Sequence, residues 1–547
     1  MALRIPKPAS SGLFKDGYKM AQGVEEAVIK NITAIKELSQ ITQTSFGPNG
    51  RNKIVVNSLE KLFVTNDAAT MIREIEVVHP AAKVVVMASQ QQESELGDAT
   101  NLVIVLAAEL LAKAEELLKM GLHPSEVLQG YEIALKKTLE ILETLPVETV
   151  ENIKESEAVL KAITTSVGSK LNGYEDFIGS LIHEAALEVM PKTVKNFNVD
   201  NVRVVKILGG NINESRVVKG MVLGREPESL VTRVEKAKVA IFSCPLDTSA
   251  TETKGTVLIH NAKEMMDFTK GEEKQVEQIF KELSDAGVKV LVTGGTVGEL
   301  ALHYINRFGM MAIKVQSKFD LRRLCQVVDG TALARLGVPM AEEMGYCEVV
   351  ESIEIGSDRV TVFRQEQERT KTVTVLLRGA TRNFLDDVER AIDDGVNTVK
   401  ALTKDGRLLA GAGASEMQLS KQLHNFGQKT PGIHQHAIKK FAEALEIVPR
   451  ILGETSGMNS IEILSKIHAA HYSSETVSHQ GINIESETAS ILDAVENGIL
   501  DSYAVKKNAI ELATNSALTV LQVDQIIMSK PAGGPKMPKN NPNWDED

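Results

Sequence analysis

The hydrophobic period of the chain changes twice along its length, and this change restricts the folds that the chain can adopt. In residues 23–44 and 99–120, apolar residues recur every three or four positions, which predicts amphipathic helices. Short β-rich runs then alternate with helical segments over residues 238–316, a pattern typical of a parallel sheet with crossover helices. Helical periodicity returns in residues 384–402 and 415–452. This order predicts that the two helical ends pack together around an inserted α/β domain.

Short sequence stretches in the first helical part predict two strands, a helix start and a helix end. The stretches "KIVV" and "LFVT" are rich in β-branched and aromatic residues and predict two short strands. The following stretch "NDAATMIREI" predicts a new helix, with Asn66 or Asp67 as its N-cap. The helix over 99–120 is expected to stop at Gly121, since Pro124 follows closely.

Length and composition indicate a large soluble protein. A chain of 547 residues exceeds what one hydrophobic core supports, so about three domains are expected. With 43% hydrophobic and 24% charged residues, the chain is not disordered overall. Its 61 basic and 73 acidic residues give a net charge of -12, which argues against a nucleic-acid partner.

The cysteines and the apolar stretches predict a cytoplasmic location. Cys244, Cys325 and Cys347 lack CxxC spacing, which argues against a disulfide framework or a zinc site and favours a reducing compartment. The N-terminus has no apolar signal-peptide core, and no stretch reaches the ~18 apolar residues of a membrane-spanning helix. We therefore expect no membrane partner.

Common catalytic motifs are missing, and what remains is a set of small stretches that carry acids. The sequence has no GK dipeptide, hence no Walker A loop, and no GxSxG nucleophile elbow. The stretch "GGTVGE" lacks a full GxGxxG motif and indicates an ordinary strand-to-helix turn. The acidic stretches, taken singly, are compatible with turns, helix caps and solvated acids.

Six of these stretches follow one another as "GPNG", "TNDAAT", "GDATN", "RGAT", "ERAIDDG" and "GAGASE". Their order resembles that of the group II chaperonins, the ATP-driven protein-folding rings of archaea and the eukaryotic cytosol. Family versions read roughly GPKG, TNDGAT, GDGTT, RGGT, ERAxxDA and GGGAxE. The resemblance covers essentially the whole chain and includes "HPAAK", "TSVGSK" and "NGILDSYAVKKNAI". More narrowly, "GYEIALKK", "TETKGTVLI", "DDGVNT" and "VDQIIMSKPAGGPK" resemble one subunit type of the eukaryotic complex.

The resemblance implies a multidomain α and α/β fold with a helical equatorial ATPase domain, a hinge-like intermediate domain and an inserted α/β apical domain. The apical domain would carry a built-in lid protrusion and bind clients. The implied boundaries are 1–145 and 405–527 (equatorial), 146–215 and 370–404 (intermediate), 216–369 (apical) and 528–547 (disordered tail).

The resemblance implies a function for Asp98, the acid that directly precedes the helix over 99–120. A helix N-terminus offers free N–H groups and a partial positive charge to phosphate, while an adjacent acid can hold the Mg²⁺ that bridges the phosphates. Asp98 is therefore the predicted metal ligand. By resemblance, Asp67 lies near the γ-phosphate, Asp394 orients the attacking water, Lys170 senses the γ-phosphate and Asp501 contacts the ribose. The remaining predicted ATP contacts are Gly47, Pro48, Gly97, Ala99, Thr100, Asn101, Gly411, Ala412 and Gly413.

The chain departs from the family pattern at several positions. Alanine replaces a family glycine at Ala68, Ala99, Ala380 and Ala412. At a positive φ, each Cβ would cost roughly 1–2 kcal/mol or shift its loop, which would slow turnover more than metal binding. Asn49 replaces a lysine and removes a cation near the phosphates.

The resemblance also implies clients and partners. The stretch at 244–275 matches the lid, and the helix at 317–328 matches a client-binding surface formed by Phe319, Arg322, Arg323 and Gln326. The same residues also fit an amphipathic helix that only packs on its sheet. Implied partners are seven paralogous subunits in an eight-membered ring, stacked as a double ring, with unfolded clients such as actin and tubulin and with prefoldin.

Two other functions stay open from the sequence. One is a small-molecule kinase or ATPase that uses the same acids. The other is a structural ring member that binds nucleotide with little or no hydrolysis, which the four alanines favour, although Asp67, Asp98 and Asp394 argue against it.

Overall fold

The first part of the chain is mostly helical, as its sequence predicts. The computed structural model describes residues 19–22, 27–153, 157–247, 261–356, 358–365, 372–473, 477–486 and 488–528. The two predicted strands are confirmed and form an antiparallel hairpin, and Asp67 is the N-cap of the helix that follows. The elements of this part are β1 (Lys19–Gln22), α1 (Ile29–Gln43), β2 (Lys53–Val56), β3 (Leu62–Thr65), α2 (Ala68–Glu74), α3 (Pro80–Leu96), α4 (Thr100–Lys119) and α5 (Pro124–Leu142).

The middle of the chain forms a sheet of mixed direction. Its elements are β4 (Glu148–Thr149), α6 (Glu157–Gly168), α7 (Glu175–Val189), β5 (Val202–Leu208), β6 (Arg216–Leu223), β7 (Arg233–Phe242), α8 (Ala262–Asp285), β8 (Val288–Thr293), α9 (Glu299–Arg307), β9 (Met311–Lys314), α10 (Lys318–Val328), β10 (Ala332–Leu333), β11 (Gly345–Ile355), β12 (Asp358–Arg364) and β13 (Val373–Gly379). Among the described residues the sheet order is β5-β13-β6-β12-β11-β7-β8-β9, with β10 beside β7.

The predicted parallel sheet is correct only for part of this order. Strands β7, β8 and β9 are parallel, with α8 and α9 as the crossover helices. Strands β11 and β12 run antiparallel to each other, and β6 and β7 pair with them in the same antiparallel sense. For β11 and β12 the reason is the two-residue connection between them, because so short a link can join only antiparallel neighbours.

The last part returns to helices. Its elements are α11 (Arg382–Lys404), β14 (Arg407–Ala410), α12 (Ala414–Lys429), α13 (His434–Leu445), α14 (Ile447–Thr455), α15 (Ser460–Ser473), β15 (Gln480–Ile482), β16 (Ile491–Asp493), β17 (Leu500–Ser502), α16 (Tyr503–Leu521) and β18 (Gln525–Met528). The continuous helical pattern predicted over 415–452 is divided among α12, α13 and α14. The first break falls at Thr430, Pro431 and Gly432, since proline and a glycine at φ 90° end a helix.

The two ends of the chain share one core. Buried side chains of α1–α5 pack with those of α12–α16 in what we call the helical core, and β1 pairs with β18. A second cluster, the bridging core, joins α6, α7 and α11 to one face of β13. Further clusters cover the sheet. The predicted fold class, helical ends around an inserted α/β part, is confirmed, while the domain boundaries stay a prediction.

Two predicted segments fall partly outside the described residues. In the lid stretch at 244–275, residues 248–260 are not described, and in the tail at 528–547 only Met528 is described, at the end of β18. Within the described ranges, no helix has the length and apolar character needed to cross a membrane.

Candidate nucleotide-binding site

A cleft of about 750 Å³ lies where the helical core meets the bridging core. The start of α4, the end of α6, α11, the start of α12 and β17 all contribute to its walls. The structure thus brings together segments that are far apart in the sequence. The predicted residues that line the cleft are Gly47, Pro48, Asp67, Asp98, Ala99, Thr100, Asn101, Lys170, Asp394, Ala412, Gly413 and Asp501.

Two predicted nucleotide contacts, Gly97 and Gly411, lie behind the cleft wall instead. Gly97 ends α3 at φ 75°, and a Cβ there would clash with the side-chain amide of Asn397 on α11. A Cβ on Gly411 would lie 2.9 Å from the side chain of Ile499 and 3.2 Å from a carboxylate oxygen of Asp501. Both glycines therefore permit close packing of the elements that form the cleft.

The start of α4 faces the cleft, where the sequence predicts phosphate binding. Ala99 is the N-cap, and no side chain caps this end, so the free N–H groups and the positive end of the helix dipole open on the cleft. The Oδ1 atom of Asp98 accepts a hydrogen bond of 2.6 Å from the backbone N–H of Ala99. Its Oδ2 atom accepts one of 2.9 Å from the hydroxyl of Ser166 on α6. Burial raises the pKa of Asp98, and the charge of Lys170 opposes this rise.

Lys170 stands between two further acids. Its ammonium group donates to Oδ1 of Asp67 at 3.1 Å and forms an ion pair with Asp394. Asp67 and Asp394 are only 8% and 7% exposed. Asp67 also caps α2, because its Oδ2 accepts from the backbone N–H of Thr70 at 3.0 Å. The ammonium group of Lys170 thus contacts one acid beside the helical core and one on α11 of the bridging core.

The pKa shifts of this group follow from burial and from the excess of acids. Burial alone would raise the pKa of Asp67, but Lys170 and the hydrogen bonds from Thr70 hold it below its ordinary value. Burial would lower the pKa of Lys170, yet the charges of Asp394 and Asp67 hold it above its ordinary value. Burial, together with the neighbouring Asp98 and Asp67, raises the pKa of Asp394 well above its ordinary value, against the effect of Lys170. Three acids thus lie near one ammonium group, and two of them are in contact with it.

This donor set fits Mg²⁺ with a nucleotide. Carboxylate oxygens are hard ligands, and Mg²⁺ is commonly held by one or two carboxylates, with the remaining positions filled by phosphate oxygens and water. Among the described residues, no group of three or more His, Cys, Asp or Glu side chains is placed to hold a metal by itself. The arrangement is compatible with a cation that arrives with phosphate, and Asp98, beside the α4 N-terminus, is the predicted ligand.

Lys506, Asp501 and Glu416 also line the cleft, and of these three residues only Asp501 was predicted from the sequence. Lys506 on α16 is 2.9 Å from a carboxylate oxygen of Asp501 and 2.6 Å from one of Glu416. Lys506 and Glu416 are buried, and the two acids hold the pKa of Lys506 above its ordinary value although burial lowers it. Lys506 lies in the motif "NGILDSYAVKKNAI" and Glu416 in the motif "GAGASE". The two motifs are far apart in the sequence, so the sequence does not indicate that these side chains are in contact.

Two of the four alanine departures adopt a strained backbone. Ala99 and Ala412 have φ 62° and φ 54°, in the left-handed region, whereas Ala68, the first residue of α2, and Ala380 are not among the described residues with positive φ. Asn49, the fifth departure, donates through its side chain to the hydroxyl of Ser456 at 3.1 Å. The strain argument therefore applies at two positions that line the cleft.

The predicted client-binding residues lie on α10, and none of them lines the cleft. Phe319 is 72% exposed, and Arg322 and Gln326 are exposed as well. Arg323 is half-buried, 3.4 Å from a carboxylate oxygen of Asp320. The opposite face of α10 packs on the sheet through Leu321, Leu324, Val327 and Val328. The helix is thus amphipathic, and its outer face exposes the ring of Phe319 and the polar side chains of Arg322 and Gln326 to solvent.

The comparisons with known proteins show the family of the chain. The TCP-1/cpn60 chaperonin family matches residues 38–531. The chain is 59% identical to the probable T-complex protein 1 subunit theta of Schizosaccharomyces pombe and 52% identical to the T-complex protein 1 subunit theta of Bos taurus and of Homo sapiens, over the full length of each. The prediction of one eukaryotic subunit type is confirmed by these names. The chain therefore belongs to the TCP-1/cpn60 chaperonin family, and its function is that of a chaperonin subunit in protein folding.

Proposed function

We propose that the chain hydrolyses ATP with Mg²⁺ and uses this reaction to fold protein clients inside a hetero-oligomeric chaperonin. The observation that carries the proposal is the convergence of Asp67, Asp98 and Asp394 around Lys170 at the uncapped start of α4. Phosphoryl transfer needs mainly positioning and charge stabilisation, and this cleft offers the groups for both. The alternative of a small-molecule kinase or ATPase loses its basis, because the chain belongs to the chaperonin family.

Each residue has a defined part in this proposal. The N–H groups at Thr100 and Asn101 bind phosphate, and Asp98 holds Mg²⁺, which supplies charge neutralisation when bound. Asp394 orients the attacking water and accepts its proton, since it is a buried carboxylate with a raised pKa. Lys170 is shared by Asp67 and Asp394, so an anionic group in the cleft competes with both acids for this ammonium.

The Asp394→Asn variant tests the proposal. The amide keeps the shape of the side chain but cannot act as a base, so we expect MgATP binding to persist and hydrolysis at this subunit to fall by about 10²–10⁴-fold. The matched control is Asp393→Asn, because Asp393 is exposed on α11 and does not line the cleft. Calorimetry and single-turnover assays on the assembled complex give the two readouts. Loss of nucleotide affinity in Asp394→Asn would contradict the assignment.

A second candidate is a ring member that binds nucleotide but hydrolyses it slowly. The left-handed backbone at Ala99 and Ala412 favours it, because a displacement of about 1 Å can cost on the order of 10²-fold in rate. The test restores glycine at both positions in a complex whose other subunits cannot hydrolyse ATP. Faster turnover supports a strained, slow site, and unchanged turnover argues that the loops are already well placed.

The relatives are named as subunits of T-complex protein 1, which supports a complex with other subunits, and the finer details of partners and clients are part of our proposal. We place the chain in an eight-membered ring with seven paralogous subunits, stacked as a cytoplasmic double ring that takes clients such as actin and tubulin, with prefoldin. The predicted equatorial, intermediate and apical boundaries, the lid and the α10 client surface belong to the same proposal. Size-exclusion chromatography with mass spectrometry should find a particle on the order of a megadalton. Recovery of only free monomer would refute it.

A further inference from the structure

The hydroxyl of Ser166 donates to a partner outside its own segment, unlike the hydroxyls of its neighbours in sequence. Thr164 and Thr165 donate their hydroxyls to backbone carbonyls one turn earlier in the same helix, and the hydroxyl of Ser169 donates to the carbonyl of Ser166. Such local bonds are the ordinary choice for hydroxyl side chains in a helix. Ser166 instead donates to Oδ2 of Asp98 at 2.9 Å, across 68 residues of sequence.

This hydrogen bond crosses between the two cores that form the cleft. Ser166 is 7% exposed and lies on α6, whose apolar face belongs to the bridging core. Asp98 directly precedes Ala99 and α4, which belongs to the helical core. The contact is therefore partly buried and joins two separately packed parts of the molecule.

The two hydrogen bonds of Asp98 fix the direction of its carboxylate. Oδ1 is held by the N–H of Ala99 at 2.6 Å, and Oδ2 by Ser166. An ionised carboxylate has about four lone-pair sites, so both oxygens keep one site for another partner. Partners of this kind orient metal ligands, and their removal commonly costs 10–100-fold in metal affinity.

We propose that Ser166 is a positioning residue that orients Asp98 for a divalent cation and makes cation affinity depend on the placement of α6. The inference rests on the proposed metal role of Asp98. Because binding free energies are reciprocal, a cation at Asp98 equally favours the arrangement in which α6 contacts the start of α4. Ser166 thus links the cation site to the relative position of the two cores.

The test measures cation dependence at this chain and needs no turnover. Complexes that contain Ser166→Ala are photolabelled with 8-azido-ATP at rising Mg²⁺ concentration, and mass spectrometry quantifies the label on this chain. We expect the Mg²⁺ midpoint to rise by about 10–100-fold, with labelling in the absence of Mg²⁺ unchanged. Ser166→Thr, which keeps a hydroxyl, should restore the midpoint. The matched control Ser180→Ala removes a hydroxyl that bonds locally on α7, outside the cleft lining, and should leave the midpoint unchanged.

Further variants separate the possible failures. If Asp98→Asn leaves the midpoint unchanged, the metal role of Asp98 in the proposed function is wrong, and this inference falls with it. If Asp98→Asn raises the midpoint and Ser166→Ala does not, only the role of Ser166 is overturned. Should Ser166→Ala not assemble, Ser166→Cys gives the answer, since a thiol of similar size is a weak donor and should raise the midpoint. An unchanged midpoint in that variant overturns the inference.

Discussion

Replacing Ala99 by glycine should leave the stability of the protein nearly unchanged, whereas the same replacement at Ala68 should lower it. Both alanines stand where the family pattern has glycine, yet their backbones differ. Ala99 has φ 62° and ψ 25°, which the Cβ of an L-residue disfavours. Ala68 is the first residue of α2, lies outside the described positive-φ set and is 2% exposed.

Three contributions set the size of the two changes. Glycine relieves Ala99 of roughly 1–2 kcal/mol of left-handed strain but costs about 0.5–1 kcal/mol of backbone entropy. The half-buried methyl group of Ala99 is worth ~0.4 kcal/mol, half the value for a fully buried methylene group. The net change for Ala99→Gly is therefore within about 1 kcal/mol of zero. In Ala68→Gly, the backbone entropy and the lost buried methyl group together lower the stability by about 1.3–1.8 kcal/mol, and no left-handed strain is relieved in return.

Hydrogen exchange on the assembled complex measures both effects locally, which suits a multidomain protein that need not unfold in two states. In Ala68→Gly, amides in the first turn of α2 should exchange about tenfold faster, because 1.4 kcal/mol corresponds to a factor of ten. In Ala99→Gly, amides in the first turn of α4 should stay within about fivefold of the parent protein. Equal acceleration at both sites would refute the strain at Ala99.

Three other substitutions test separate parts of the structure. Lys506→Met should lower the local stability of α12 and α16 by about 3–5 kcal/mol, measured by hydrogen exchange of their amides, because it leaves the buried Glu416 without a cation. His468→Gln should cost thermal stability at about pH 6 and little at about pH 9. The hydrogen bond to Glu446 raises the pKa of His468, so its contribution is complete below 6.5 and is lost as pH rises through the raised value. Phe319→Ala should weaken capture of an unfolded client without altering stability, since the ring is exposed.

Each of these expectations has its control. Lys466→Met breaks an exposed pair with Glu462 at 2.7 Å and should cost under ~1 kcal/mol, so an equal loss at Lys506 would contradict the argument from burial. A stability difference for His468→Gln that is constant with pH would exclude the proposed titration. Met340 is another exposed apolar residue outside α10, and Met340→Ala should leave client capture intact.

Most of the fold could be predicted because it depends on local patterns. The period of apolar residues gave α1 and α4, the β-branched runs gave β2, β3 and β7–β9, and Asp67 was one of two N-caps considered. The mixed direction of the sheet was not predicted, because the composition of a β-rich run indicates neither its partner strand nor the direction of the pairing. Thr430 to Gly432 carried a break signal, but apolar periodicity on both sides concealed the separate helices α12 and α13.

The sequence by itself determined the elements and the chemical groups, since helix caps, turn residues and apolar periods act over a few neighbours. It placed Asp98 at the start of α4 and supplied Asp67, Lys170 and Asp394 in recognisable motifs. Only the tertiary structure decided that these four meet, because packing of the helical core against the bridging core closes the distance between them. The tertiary structure also decided that the hydroxyl of Ser166 donates to Asp98 and not to a carbonyl of its own helix. The same alanine substitution is strained at 99 and not at 68, because φ at each position is set by the contacts of the folded chain and not by the residue type.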